Sequence, residues 1–146
     1  MAPSLTAIIG GADPALRDLA IDHWCEGKST AALLHAAAEL DAYRKTETNL
    51  YHRVRALFFL SALHRYHLPA RADFPRSGRI PHEGFTHLLE RRFEEAIGNF
   101  QRAAAAAGPS ETLSSALAAA YHALAFQTLA DQVRRTVRST RGNAWM

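Results

Sequence analysis

The sequence predicts an all-α domain of about five antiparallel helices, packed as a bundle or as an array of helical hairpins. Three observations carry this. Alanine, the best helix former, supplies 29 of the 146 residues. Start and stop residues divide the chain at helix-sized intervals: Asp13-Pro14, Gly27, Ser29, Thr48, Pro69, Pro81, Gly108-Pro109 and Ser110. Between Phe85 and Ala107, apolar residues recur at i, i+3, i+4 and i+7, the spacing of one helix face.

Residues 1–12 hold a short apolar patch, Ala7-Ile8-Ile9, followed by Gly10-Gly11, and read as a loosely ordered arm or one short extended piece. Asp13 then offers an N-cap acceptor and Pro14 sits at N1, where its missing N–H costs nothing. This first helix, carrying Leu16, Leu19, Ala20, His23 and Trp24, runs to Gly27. Ser29 caps a second, with Leu33, Leu34, Ala37, Ala38 and Leu40 on a broad apolar side, ending near Arg44 or Lys45. Thr48 caps a third that reaches His67 and stops before Pro69. Val54, Leu57, Phe58, Phe59, Leu60, Leu63 and Tyr66 cover most of its circumference, so it belongs at the centre of the core. Three prolines and Gly78 make residues 68–81 a loop, with Phe74 and Ile80 as its anchors or apolar contacts. Pro81 opens the fourth helix, which extends to Ala107. Ser110 caps the fifth, which carries Leu113, Leu117, Tyr121, Leu124 and Val133 and fades near Gly142. One helical domain therefore spans residues 13–142, with a tail at 143–146 whose Trp145-Met146 pair suggests docking on a partner or the N-terminal module of a longer protein.

Composition narrows the function classes. A hydrophobic share of 48% and a charged share of 21% are those of a globular chain, not of a disordered one. A single cysteine, Cys25, allows no intramolecular disulfide and fits a reducing compartment. The N-terminus lacks the basic region of a signal peptide, and no apolar run has the length of a membrane span, so a cytoplasmic location is expected. Arginine greatly outnumbers lysine (Lys28 and Lys45 are the only lysines), a bias that GC-rich bacterial coding also produces. The net charge of +3 is uneven: residues 41–81 hold eight basic and three acidic side chains, residues 1–40 two and five.

The stretch Phe93-Glu-Glu-Ala96-Ile-Gly-Asn-Phe100-Gln-Arg-Ala103, followed by Gly108-Pro109, resembles the second helix of a tetratricopeptide repeat. Ala62, Ala96 and Ala130 recur at that family's 34-residue period, with aromatics four residues later at Tyr66 and Phe100 but Arg134 at the third position. Leu117, Ala118 and Tyr121 stand where the family's first helix has its Leu, small residue and Tyr; of Glu83, Gly84 and His87, at the equivalent places before Phe93, only the glycine matches. The resemblance covers residues 80–130 and implies a protein-binding scaffold without chemistry.

Candidate sites follow from side-chain chemistry. Arg53, Arg55 and Arg65 on the third helix, with Arg71, Arg76 and Arg79 in the loop, could surround one phosphate or carboxylate. Arg134, Arg138 and Arg141, with Arg135 beside them, form a ridge suited to a nucleic-acid backbone. His64 and His67 share a helix face, and Glu83 and His87 across the loop could complete a metal site. His82 lies five residues from His87 and does not share its face, and no His-Glu-x-x-His pattern exists. Cys25, at the negative end of a helix dipole, reads as a structural thiol. Glu90, Glu94 and Glu95 read as a solvated face. With no phosphate-binding glycine loop and no nucleophile elbow, neither a catalytic residue nor a cofactor is expected. The leading reading is a non-catalytic domain that binds a protein partner or a second copy of itself. Nucleic-acid or phosphate binding, and a metal- or histidine-dependent enzyme, are the alternatives.

Overall fold

The computed structural model describes residues 3–139, with side chains to residue 136. The described residues form eight α-helices and no strand, so the chain is all-α. The first helix, α1 (Leu5–Gly10), replaces the expected N-terminal arm. Ser4 caps it, accepting from the Ala7 N–H at 3.1 Å. Leu5, Ile8 and Ile9 stand at i, i+3 and i+4 and are buried, which draws this segment into the core. One and a half turns are too short to declare a period in sequence.

Asp13 caps α2 (Pro14–Arg17) as read, accepting from the Ala15 N–H at 3.0 Å. The helix does not continue to Gly27; α3 (Ile21–Cys25) starts anew. The Arg55 guanidinium donates to the Arg17 carbonyl, which a continuous helix would give to the N–H of Ile21. α4 (Thr30–Thr46) runs from its Ser29 cap, which accepts from the Ala32 N–H at 3.2 Å. α5 (Leu50–Ala62) is capped by Asn49, one residue after the expected Thr48. It widens into a π-helical turn, Leu63–His67, closed by the Leu68 N–H on the Leu63 carbonyl at 2.9 Å.

Residues 68–81 contain no helix, as expected, but they are strapped down. Phe74 is 2% exposed and anchors the segment. Asp73 accepts from Thr30 Oγ1 at 2.5 Å, and the Pro75 carbonyl accepts from the Glu111 N–H at 2.8 Å. Ile80 stays exposed.

The single helix read from Pro81 to Ala107 is two: α6 (His82–Leu89) and α7 (Phe93–Ala107). The reversal is a left-handed C-cap at Arg91, φ 62°. The Arg92 N–H bonds the His87 carbonyl at 2.9 Å and the Arg91 N–H the Leu88 carbonyl at 3.2 Å, the paired bonds of a Schellman turn. Glycine usually marks that position; arginine hides it. α8 (Glu111–Ser139) is unbroken, its Ser110 cap accepting from the Leu113 N–H at 3.3 Å.

α5 lies between α4 and α8 with α1 against it, and α7 joins the α6–α7 hairpin to α8. Val54, Ala56, Leu57, Leu60 and Leu63 are buried there, which bears out α5 as the middle of the core; Phe58 and Tyr66 remain exposed. Within the hairpin, a Cβ on Gly84 would stand 2.6 Å from Phe100 Cε1 and 3.1 Å from Asn99 Cβ. Phe100 is fully buried and has nowhere to swing. Gly84→Ala is therefore expected to cost about 2 kcal/mol through overpacking. A urea midpoint equal to wild type would show that α6 rides on α7 less tightly than this contact requires.

Candidate functional site

The most constrained polar chemistry of the chain sits on α4, at positions the sequence reading passed over. Asp41, Arg44 and Lys45 stand one turn apart on a helix whose other inward residues are Leu33, Ala36, Ala37 and Leu40. Asp41 and Arg44 are only 6% and 4% exposed. Burial on this scale requires partners, and each has them. Arg44 Nε donates to Asp41 Oδ1 at 2.8 Å, and its two terminal nitrogens grip both oxygens of Glu94 on α7 at 2.7 and 2.9 Å. Lys45 Nζ lies 2.6 Å from Asp41 Oδ2. The buried Tyr121 hydroxyl of α8 donates to Asp41 Oδ1 at 3.0 Å and accepts from Gln101 Nε2 at 2.9 Å.

Electrostatics follow this geometry. Burial alone would raise the Asp41 pKa, but Lys45 and Arg44 outweigh it and hold the carboxyl at about 2. Burial would lower Arg44, but Glu94 and Asp41 keep it firmly protonated. Burial, helped by Asp41, pushes the Tyr121 phenol well above its ordinary value. His64, from the π-helical turn, stacks on Tyr121 with ring centres 5.9 Å apart, and its Nδ1 is 3.0 Å from Ser114 Oγ. Burial depresses its pKa to about 4, against a weaker opposing pull from Asp41, so the ring is neutral near pH 7.

These groups form the floor of a cleft of about 340 Å³ between α4 and α7. Asp41, His64, Gln101 and Tyr121 supply polar atoms, and Leu34, Ala37, Ala38, Ala104 and Leu117 the apolar walls. Alanines on the two facing helices leave the space that larger side chains would fill. An apolar cleft with a few convergent polar groups of shifted pKa is the usual form of a ligand site. A sequence signal did exist: a carboxylate and two cations at i, i+3 and i+4 interrupting an inward-facing apolar stripe.

The residues singled out from sequence are dispersed. Arg55 donates to the Ile8 and Arg17 carbonyls, and Arg71 to the Cys25 carbonyl at 2.8 Å; both hold backbone rather than an anion. Arg76 pairs with Glu111 at 3.5 Å. Arg65 lines a groove between α5 and α8, whereas Arg79 lines another between the 75–79 strap and the α7–α8 turn. Arg53, half-buried on α5, lines neither. Arg134 pairs with Asp131 at 3.1 Å. The side chain of Arg138, all of Arg141, and the 143–146 tail lie outside the described residues.

The four proposed metal ligands do not converge. His64 faces Ser114; His67 Nε2 lies 3.1 Å from Asp22 Oδ1, out of line for a hydrogen bond; His87 stands 3.8 Å from Glu83 on α6. Among the described residues no three His, Cys, Asp or Glu side chains gather as a metal site would need. Cys25 is buried, and that burial raises its thiol to about 11, against Arg71 and Lys28. Of the three glutamates read as a solvated face, Glu90 pairs with Arg92, and Glu94 is the half-exposed partner of Arg44. No helix of the described residues is long and apolar enough to cross a membrane. Compared with protein-family models, with curated proteins and with solved structures, the chain matches none.

Proposed function

We propose that the chain is a non-catalytic helical interaction module that pairs with a second copy of itself along α8. The observation that carries this is the outer half of that helix. Among the described side chains of α8 the last buried one is Ala125. Beyond it, Phe126, Leu129 and Val133 continue at i, i+3 and i+7 and are 54%, 37% and 60% exposed. Phe126 is also edge-on to Phe58 and His122, with ring centres 6.0 and 4.9 Å away, which makes an aromatic ridge across α5 and α8. An apolar stripe of this kind on a projecting helix is a surface in need of a partner. A second copy presents the same stripe, so two α8 helices crossing antiparallel cover both stripes at once in one self-complementary contact. The close α6–α7 hairpin, with Gly84 seated on Phe100, supports the tetratricopeptide-like part of this reading, confined to that hairpin and the start of α8.

Light scattering on the purified chain tests it. Wild type is expected at twice the chain mass at micromolar concentration, and Phe126→Glu with Leu129→Glu at the single-chain mass with unchanged helical signal. A monomeric wild type overturns the proposal. So does a double variant that still dimerises, or a mass increase traced to nucleic acid that high salt removes.

A further inference from the structure

The α4–α7 cleft has no role in that pairing, and its floor is built with more care than a structural gap requires. His64 is 7% exposed. Its Nδ1 is committed to Ser114 Oγ, but its Nε2 has no hydrogen-bond partner among the described residues. Nor is Nε2 one of the sealed, unsatisfied buried atoms, so it keeps an open side, and the ring lines the cleft. A buried imidazole nitrogen without a protein partner is costly unless water or a ligand meets it. Whichever tautomer Ser114 selects, Nε2 offers one hydrogen bond to an occupant.

The charges beside it cancel. Asp41 and Glu94 face Arg44 and Lys45 in one closed set of ion pairs. An ion entering the cleft would lose hydration and find no counter-charge left over. An uncharged molecule would lose little and would gain apolar contact with Leu34, Ala38, Ala104 and Leu117. The volume of about 340 Å³ is at the small end of ligand pockets, suited to one or two rings.

We infer that this cleft is a binding site for a small uncharged molecule with a flat apolar body and one hydrogen-bonding group, of the phenol or indole type. The group meets His64 Nε2, and the body lies between the alanine faces of α4 and α7.

Calorimetric titration of the full chain with indole and phenol, beside benzoate and benzylammonium, tests the assignment. Indole and phenol are expected to bind one to one, and the two ions at least about tenfold more weakly. Ala38→Leu, at an exposed rim position that tolerates the larger side chain, is expected to fill the cleft and lower indole affinity by about tenfold or more. His64→Phe, which removes the hydrogen bond but keeps a ring, is expected to lower it by about fivefold or more. Circular dichroism shows that each variant is folded. No binding of indole or phenol at millimolar concentration overturns the inference. Benzoate binding as tightly as indole, or an Ala38→Leu protein that binds indole like wild type, does so equally.

Discussion

Replacing Arg44 with alanine is expected to lower the unfolding free energy by about 3 kcal/mol, the largest loss from any single polar side chain of this fold. Three bonds go at once: Nε to Asp41 and the fork on Glu94. The damage lies in what is left behind. Asp41, 6% exposed, keeps its carboxylate in the core with Lys45 and the Tyr121 hydroxyl as its remaining partners. Those two place the loss at the lower end of the range for breaking a buried ion pair. Glu94→Gln should cost about 1 kcal/mol or less, because that side chain is 55% exposed and water replaces the arginine. Arg44→Lys keeps the charge but not the fork, so it should fall nearer to alanine than to wild type. Urea unfolding followed by circular dichroism measures all three. Nearly equal losses for Arg44→Ala and Glu94→Gln would mean that the surface half of the network matters and the buried half does not. Because α4 and α7 meet across the cleft through this fork, the Arg44→Ala protein should also be loosest at the cleft mouth.

The physics that hid this network from the sequence is specific. Helix starts were legible because their chemistry is local: Ser29, Ser110 and Asp13 each cap the helix expected of them. Helix interruptions were not, because neither announces itself in composition. At the first, the Arg17 carbonyl is taken up by Arg55 from far along the chain; at the second, the turn at Arg91 uses a left-handed residue that is not glycine. The arginines that looked free in sequence illustrate the same limit. Arg55 and Arg71 are spent on backbone carbonyls of α1 to α3, a demand that exists only once those short helices have packed. Arg44, by contrast, stands near the end of its helix in the sequence, a place where a cation suits the dipole and draws no notice. Only the approach of α7 and α8 shows that it and Asp41 are interior. Tyr121 was legible as a core aromatic, but the hydroxyl that links Gln101 to Asp41 depends on three helices meeting. Val133 reads in sequence as part of the apolar side that begins at Leu113, and Phe126 and Leu129 do not stand out there; among the described residues the structure leaves all three exposed.

His64 gives the second large effect, and it is pH-dependent. The ring takes up a proton near pH 6.5 when the chain is unfolded, but burial holds it neutral to about pH 4 in the fold. The unfolded chain therefore binds the extra proton first. The stability that a neutral His64 provides is complete above pH 6.5 and is lost as the pH falls from there to about 4. At 1.36 kcal/mol per pH unit, that interval corresponds to about 3 kcal/mol. Asp41 acts in the same direction but lower: its carboxyl, at about 2 in the fold against 3.8 ordinarily, withdraws its share below pH 4. The two losses run in sequence, so acid unfolding should start well above the usual carboxylate range. His64→Gln isolates the first of them, since an amide can still bond Ser114 and carries no proton between pH 7 and 4. The variant should be less stable than wild type at pH 7, where it loses the stacking on Tyr121, and its unfolding free energy should change less between pH 6.5 and 4. The gap between the two proteins should then narrow or invert as the pH falls. Parallel curves across that interval would mean that His64 is not the group whose protonation destabilises the fold. An occupied cleft should carry the wild-type loss further below pH 4, because a hydrogen bond to neutral His64 deepens its reluctance to protonate, and His64→Gln should abolish that extension.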